Sequence, residues 1–220
     1  DVPLVVPEVN AHAIPDYKKK GIIANPNCST IQAMVALKPL AVKYGLKRVV
    51  YSTYQAVSGA GMGGYSDLEN GLKGESPKKF PYPIAGNILP QIDVFLDTGY
   101  TKEEQKMIDE SRKILDLPNL RVTATTVRVP VFHGHSESIN VELEQPFEVA
   151  DIRKLWESTE GLVVQDDPEK GLYPMPLYAA DTDPVYVGRL RRDFSVENGI
   201  NFWCVADNIR KGAATNAVQI

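Results

Sequence analysis

The chain has 220 residues, 43% of them hydrophobic, with a formal net charge of −4 at pH 7. That is enough apolar material for one large globular domain or two small ones. Acidic and basic residues are interspersed: no basic stripe argues for nucleic acid, no apolar run could span a bilayer, and two cysteines exclude a disulfide framework. A reducing, cytoplasmic setting with no nucleic-acid or membrane partner is the expectation.

The chain enters at once into an apolar stretch, DVPLVVPEVN, and stops within a helical pattern, KGAATNAVQI. Both ends predict a piece of a longer protein. Residues 4–9 and 21–24 predict short buried strands joined by a polar linker. A helix is expected over 29–44, its stripe formed by Ile31, Met34, Val35, Leu37, Leu40, Ala41 and Tyr44, with Pro39 kinking or dividing it. Residues 47–57, rich in Val, Tyr and Thr, predict a strand, and the Gly- and Pro-rich stretch 58–88 a long irregular loop.

A second helix should start at Thr101, where Thr101 and Glu104 have capping-box spacing; Met107, Ile108, Ser111, Ile114 and Leu115 then share a face. Residues 121–131 and 136–143 predict strands close enough in sequence to pair antiparallel. A short helix over 149–158 and strands over 162–165, 185–190 and 200–205 complete the pattern. Several strands follow one another without a crossover helix, which predicts an α+β fold: a mixed, largely antiparallel sheet covered by helices.

Cys28 follows an Asn-Pro-Asn turn signal and opens the first long helix. Unpaired N–H groups and partial positive charge at a helix start stabilise a thiolate, the nucleophilic form of cysteine. Asn27 is a suitable N-cap. Chemistry alone leaves Cys28 open as a nucleophile or a merely accommodated thiol, whereas Cys204 in INFWCVA reads as a packed core residue. A nucleophilic cysteine commonly works with a histidine. His12 sits in a polar linker, while His133 and His135, in VRVPVFHGHSES, are equal candidates on residue chemistry. Arg128 lies inside an apolar strand and must find a partner; a carboxylate suits its planar fork, in a structural ion pair or in a ligand. Glu103 and Lys106 are three apart and share a helix face, which also suits a solvated pair. SGAGMGG, residues 58–64, matches G-x-G-x-x-G at Gly59, Gly61 and Gly64, but without a following helix or a βαβ unit it is not read as a dinucleotide fingerprint.

Together ANPNCST, TYQAVSGAG, GNILPQID, YTKEEQKM, RVPVFHGHSES and KGAATNA, in this order and over nearly the whole chain, resemble the aspartate-semialdehyde dehydrogenases. N-acetyl-glutamyl-phosphate reductases are related but typically carry Gly where Asn27 stands. The glyceraldehyde-phosphate dehydrogenases share the architecture, with a different nucleophile motif. The resemblance implies Cys28 as thioester nucleophile, His135 as acid/base and Gln55 as the residue that orients the substrate. It implies Arg128 on the substrate carboxylate, Glu103 on its amine, Lys106 and Asn27 at phosphate, and Ser58, Gly59 and Asn208 at the nicotinamide end of NADP. It implies a homodimer acting on aspartate semialdehyde and phosphate, with no metal. It also implies a glyceraldehyde-phosphate-dehydrogenase-like catalytic and dimerisation domain over 25–205. Residues 1–24 would then be the last strands, and 206–220 the start of the returning helix, of an NADP-binding Rossmann domain. The family's glycine-rich phosphate loop is absent from these residues, so the chain alone is expected to bind NADP weakly and to be inactive; the alternatives are a non-catalytic dimerisation module or a related acyl-phosphate reductase such as an N-acetyl-glutamyl-phosphate reductase.

Overall fold

The computed structural model describes residues 2–220. Among the described residues, the opening segment forms no strand pair. Leu4 makes a single parallel bridge to Ala24, and helix α1 (Pro7–Asn10) begins at once. Pro7 supplies a φ suited to a first helical turn and has no N–H to leave unpaired, so the expected strand over 4–9 stops at Val6. The expected linker is a 3-10 stretch, Ala11–Lys19.

Helix α2 (Cys28–Tyr44) starts where Asn27 Oδ1 accepts the N–H groups of Ser29 and Thr30, at 3.0 and 3.1 Å. It runs through Pro39 as one element and ends before Gly45, whose φ is +70°. A proline inside a helix removes one hydrogen bond; burial of Leu37, Leu40 and Tyr44 on either side of it offsets that loss.

Strand β1 (Leu46–Gln55) follows, then a 3-10 turn (Val57–Ala60) and helix α3 (Gly61–Gly71). The expected long loop is thus helical over nearly its first half, and the glycine-rich run does lead into a helix. Its glycines hid the pattern but serve close packing: a Cβ on Gly64 would lie 2.5 Å from Val57 O. Helix α4 (Lys102–Leu115) has the expected capping box and buries the expected face.

Strands β2 (Arg121–Arg128) and β3 (His135–Leu143) do not pair with each other. β1 lies between them, parallel to β2 and antiparallel to β3. The β1-to-β2 connection carries α3 and α4, and a crossover of that length permits parallel pairing. Residues 129–134 then arch over the end of β1, with Val129 N donating to Gln55 O (3.0 Å) and Val57 N to Val131 O (2.8 Å). That arch rules out a hairpin and brings the ends of three strands together. Helix α5 (Val149–Glu157), strand β4 (Leu162–Val164), short helix α6 (Pro176–Ala179) and strands β5 (Val185–Asp193) and β6 (Gly199–Ala206) complete a sheet of order β2-β1-β3-β6-β5-β4. Three of its five pairings are antiparallel, as expected.

The core lies between α2, α4 and α5 and one sheet face. Trp156 of α5 stacks edge-on against Phe202, with ring centroids 5.0 Å apart, and donates to Ala36 O. On that face the side chains form rows across the strands. Tyr51, Ala124, Ile139 and Phe202 make an apolar row, and Thr53, Thr126, Glu137 and Cys204 the next. Gln55, Arg128 and His135 close the series at the strand ends. The opposite face, with Tyr54, Ser138 and Trp203, stays partly open. The chain closes with a π-turn (Arg210–Ala214) and helix α7 (Thr215–Gln219). Lys211 Nζ donates to both Glu8 oxygens at 2.7 Å, and Asn216 Nδ2 donates to Val5 O at 2.9 Å.

Candidate active site

The last row of the sheet, the start of α2 and the first turn of α4 enclose an open cavity of about 410 Å³. Its walls include Cys28, Gln55, Gly59, Glu103, Lys106, Arg128 and His135, seven of the ten residues singled out from the sequence. Asn27, Ser58 and Asn208 are not on the wall: Asn27 holds a residue that is, and Ser58 and Asn208 bond to each other and to the turn that precedes His135. Asn27 caps α2 and donates from Nδ2 to Glu103 Oε1 at 2.7 Å. Ser58 and Asn208 hydrogen-bond through their side chains, and Asn208 Oδ1 accepts Gly134 N–H at 2.9 Å.

Gly134 separates the two histidines. Its φ is +89°, and a Cβ there would lie 2.9 Å from Pro176 Cβ, so a side chain is excluded by both conformation and space. This turn sends His133 toward Tyr65, with ring centroids 5.7 Å apart and outside the cavity, and starts β3 with His135 fully buried on the wall. His12, in the 3-10 stretch, is exposed and outside this cavity.

His135 Nδ1 accepts the Ala56 N–H at 3.0 Å. The lone pair is therefore on Nδ1, and the neutral ring carries its proton on Nε2, which is buried without a protein partner. Burial first, and the Arg128 charge second, hold the imidazole well below its ordinary value, so it is neutral at pH 7. Arg128 is buried as well. It donates from Nη1 to Ala56 O at 2.7 Å, and its guanidinium lies 6.0 Å from the Phe80 ring. No described carboxylate comes within ion-pair distance of it, so the structural ion pair is not formed and the cation faces the cavity. Gly59 lets the chain close over both groups: a Cβ there would sit 2.9 Å from Arg128 Nη1 and 3.1 Å from His135 Nε2.

Cys28 corrects one expectation. The Ser29 N–H and Arg128 do favour its thiolate, but burial and the Glu103 charge outweigh them and push the thiol up to about 12. In this state Cys28 is protonated at neutral pH. Behind it, a Cβ on Gly212 of the π-turn would lie 3.0 Å from Cys28 Cβ, so a side chain there would push the turn or the cysteine aside by a few tenths of an ångström; such turns are frequent at functional sites. Cys204 is fully buried against Gln32, as expected of a core thiol.

Gln55 donates from Nε2 to Ser29 Oγ and, at 3.3 Å, to Glu103 Oε1. Lys106 stands 3.8 Å from Glu103 and 3.7 Å from Asp93. Sequence reasoning missed Ser29, Lys79, Asp93 and Glu110. Glu110 accepts the Asn27 N–H at 2.8 Å, and burial raises its carboxyl above the usual range. Its spacing of seven from Glu103 on one helix face was a usable signal. Lys79 and Asp93 arrive on irregular segments and carried none.

Residues 37–211 match the family described as semialdehyde dehydrogenase, dimerisation domain. The whole chain is 58% identical to an aspartate-semialdehyde dehydrogenase of Aquifex aeolicus and covers 67% of that protein. The chain belongs to the semialdehyde dehydrogenase family. Among solved structures, aspartate-semialdehyde dehydrogenase II of Vibrio cholerae, complexed with ASA, superposes with a TM-score of 0.95 at 47% identity; 99% of this chain aligns with 66% of that one. The Candida albicans aspartate-semialdehyde dehydrogenase with NADP aligns over all of this chain and 65% of its own, with a TM-score of 0.74 at 26% identity. This member of the semialdehyde dehydrogenase family thus spans about two thirds of the length of the relatives it matches.

Proposed function

We propose that this chain is the catalytic and dimerisation part of an aspartate-semialdehyde dehydrogenase, which interconverts aspartyl phosphate and aspartate semialdehyde through a thioester on Cys28. The observation that carries the reading is the Arg128 guanidinium: buried, without a carboxylate, and opening into the cavity that holds Cys28 and His135. A buried cation without a counter-ion is costly, and an anionic ligand relieves that cost. A planar fork suits the substrate carboxylate. Glu103 is the acceptor for the substrate amine, and Lys106 with Asn27 serves the phosphate.

In this reading the Cys28 sulfur bonds to the aldehyde carbon as its thiol proton passes to solvent water in the open cavity, which leaves the tetrahedral adduct as an oxyanion. His135 Nε2–H donates to the oxygen that becomes negative in the tetrahedral adduct; Nδ1, held by Ala56, keeps that proton aimed inward. Gln55, fixed by Ser29 and Glu103, aligns the substrate beside the sulfur. Loss of hydride from the adduct leaves the thioester, and phosphate attack on its carbonyl releases aspartyl phosphate and frees the sulfur. NADP, when bound, supplies or accepts that hydride. The reacting end of such a cofactor fits the glycine-lined wall at Gly59, with Ser58 and Asn208 beside it. Recognition of its pyrophosphate is assigned to a Rossmann domain outside these residues, of which 1–24 and 206–220 are the adjoining pieces. The physiological direction, toward the semialdehyde, serves lysine, methionine and threonine biosynthesis in the cytoplasm. The partly open sheet face, where Tyr54 and Trp203 stack with centroids 5.4 Å apart, suits docking of a second copy.

The full-length protein should reduce NADP+ only when aspartate semialdehyde and phosphate are both present. Acid-quenched digests should carry the acyl group on the Cys28 peptide. Reduction independent of phosphate would overturn the reading.

A further inference from the structure

Glu137 follows His135 by two residues on β3, so the two share a face of the sheet, and it is fully buried. Its neighbours across the strands are Thr53 on β1 and Cys204 on β6. No described cation pairs with it, and in the ionised form neither oxygen finds a donor. A carboxylate without donor or counter-ion is among the costliest groups to bury. The folded chain therefore holds Glu137 as the neutral acid, well above its ordinary range. A neutral carboxyl is no longer only an acceptor; it has one O–H to donate.

An acceptor for that proton stands on α2. Gln32 is fully buried, and both its N–H groups are engaged: Nε2 donates to His135 O at 3.2 Å and to Cys204 Sγ at 4.0 Å. Turning the amide round would set Oε1 against the His135 carbonyl, so its orientation is fixed. Oε1 is left without a donor, and Gln32 is the side chain that the Glu137 carboxyl meets. Two acceptors with no proton between them repel; one proton satisfies both. The charge state also reaches the nucleophile. A negative Glu137 would oppose the Cys28 thiolate, and Tyr51 and Cys204 sense the same charge. The neutral acid removes that opposition.

We infer that Glu137, as a neutral acid, is a positioning residue of the site: its O–H donates to Gln32 Oε1, and Gln32 in turn holds the main-chain carbonyl of His135. The imidazole then has two anchors, the Ala56 N–H on Nδ1 and the Gln32 amide on its own backbone, which keep Nε2–H aimed into the cavity. This rests on the functional reading above, which gives His135 its part in the reaction. A buried acid kept protonated at neutral pH so that it can donate is an established way to use a carboxyl group.

The test uses the full-length enzyme. Infrared spectra of the wild type should contain the C=O stretch of a protonated carboxyl that is missing from Glu137→Gln; identical spectra would overturn the inference. Iodoacetamide should alkylate Cys28 at the same rate in both proteins near neutral pH, because no charge is removed. Faster alkylation in Glu137→Gln would reveal an ionised Glu137 and overturn it too. Glu137→Leu and Gln32→Leu should each lower kcat by about tenfold or more, with KM for phosphate and for aspartate semialdehyde within about threefold. The double variant should do no worse than either single one, since both break one chain of contacts. Glu137→Gln keeps a donor of the same shape and should hold kcat within about threefold of wild type. Unchanged kcat in the leucine variants, additive losses, or a loss in Glu137→Gln as deep as in Glu137→Leu would each overturn the positioning role. Should the leucine variants not fold, the infrared, alkylation and kcat results on Glu137→Gln decide. If the wild type shows no phosphate-dependent turnover, the functional reading fails by itself, and the infrared and alkylation results still decide the state of Glu137.

Discussion

Two rows on the same face of the same sheet behave as different materials. Tyr51, Ala124, Ile139 and Phe202 cross four strands as a dry apolar band, all buried. Four residues along the strands, Gln55, Arg128 and His135 occupy the same face beneath the same helix and are polar, two of them with groups left open to a ligand. Between them, Thr53, Thr126 and Glu137 are buried with side-chain oxygens that have no protein partner. Stability and chemistry are thus separated by position along a strand. The strand interior holds the sheet to α2 and α5, and the strand ends are where the sheet leaves its polar groups open to the cavity.

Substitutions at each level should break or sharpen that contrast, all in the full-length enzyme. Cys28→Ser should come closest to abolishing turnover, because a hydroxyl lacks the nucleophilicity to form the acyl intermediate; mass spectrometry should find no trapped adduct while the melting temperature barely moves. His135→Ala should lower kcat by about 100- to 10,000-fold, as is typical for loss of a positioned proton donor, and alter the pH profile. Phe202→Ala should do the opposite. A cost of about 3–5 kcal/mol in denaturant unfolding is expected from the cavity beneath Trp156, with KM values nearly unchanged where the protein is folded.

The middle row is read through pH. Burial holds the Glu137 carboxyl well above the ordinary glutamate value of 4.5. The folded chain therefore keeps a proton that the unfolded chain releases, and stability must decline as pH rises above that value. Glu137→Gln should flatten the decline between about pH 5 and neutrality, as followed by urea midpoints. His133→Ala is the smallest expected effect, within a few-fold of wild-type kcat/KM. If it proved as damaging as the loss of His135, the strand-end assignment would be wrong.

Much of this was legible in the sequence, for local reasons. The N-cap at Asn27, the capping box at Thr101 and Glu104, and the stripes of α2 and α4 are set by neighbours within one or two turns. Arg128 in an apolar strand announced itself because such a charge requires a counter-ion. Non-local features were not legible. Pairing of β2 and β3 with β1, instead of with each other, depends on an arch over a strand end that no residue type signals. Helix α3 was hidden because Gly61, Gly63, Gly64 and Gly71 lower helix propensity, although packing against Val57 and Ala85 favours glycine at Gly64 and Gly71. The state of Cys28 was misjudged because helix-start geometry is visible in the sequence, whereas the burial and the Glu103 charge that outweigh it come from the fold. Ranking His135 over His133 took the resemblance; the geometry of Gly134 now supplies a physical reason for it.

That glycine bears on how the protein tolerates error. A His-Gly-His triplet looks like insurance, two imidazoles where one is needed. With a left-handed residue between them pressed against Pro176, the two rings belong to different neighbourhoods, one beside Tyr65 and one on the cavity wall. Neither can stand in for the other, so loss of His135 has no backup despite an identical side chain two positions away. A replacement at Gly134 would strain the turn that keeps the pair apart, which makes the smallest residue of the triplet as intolerant of change as the imidazole it positions.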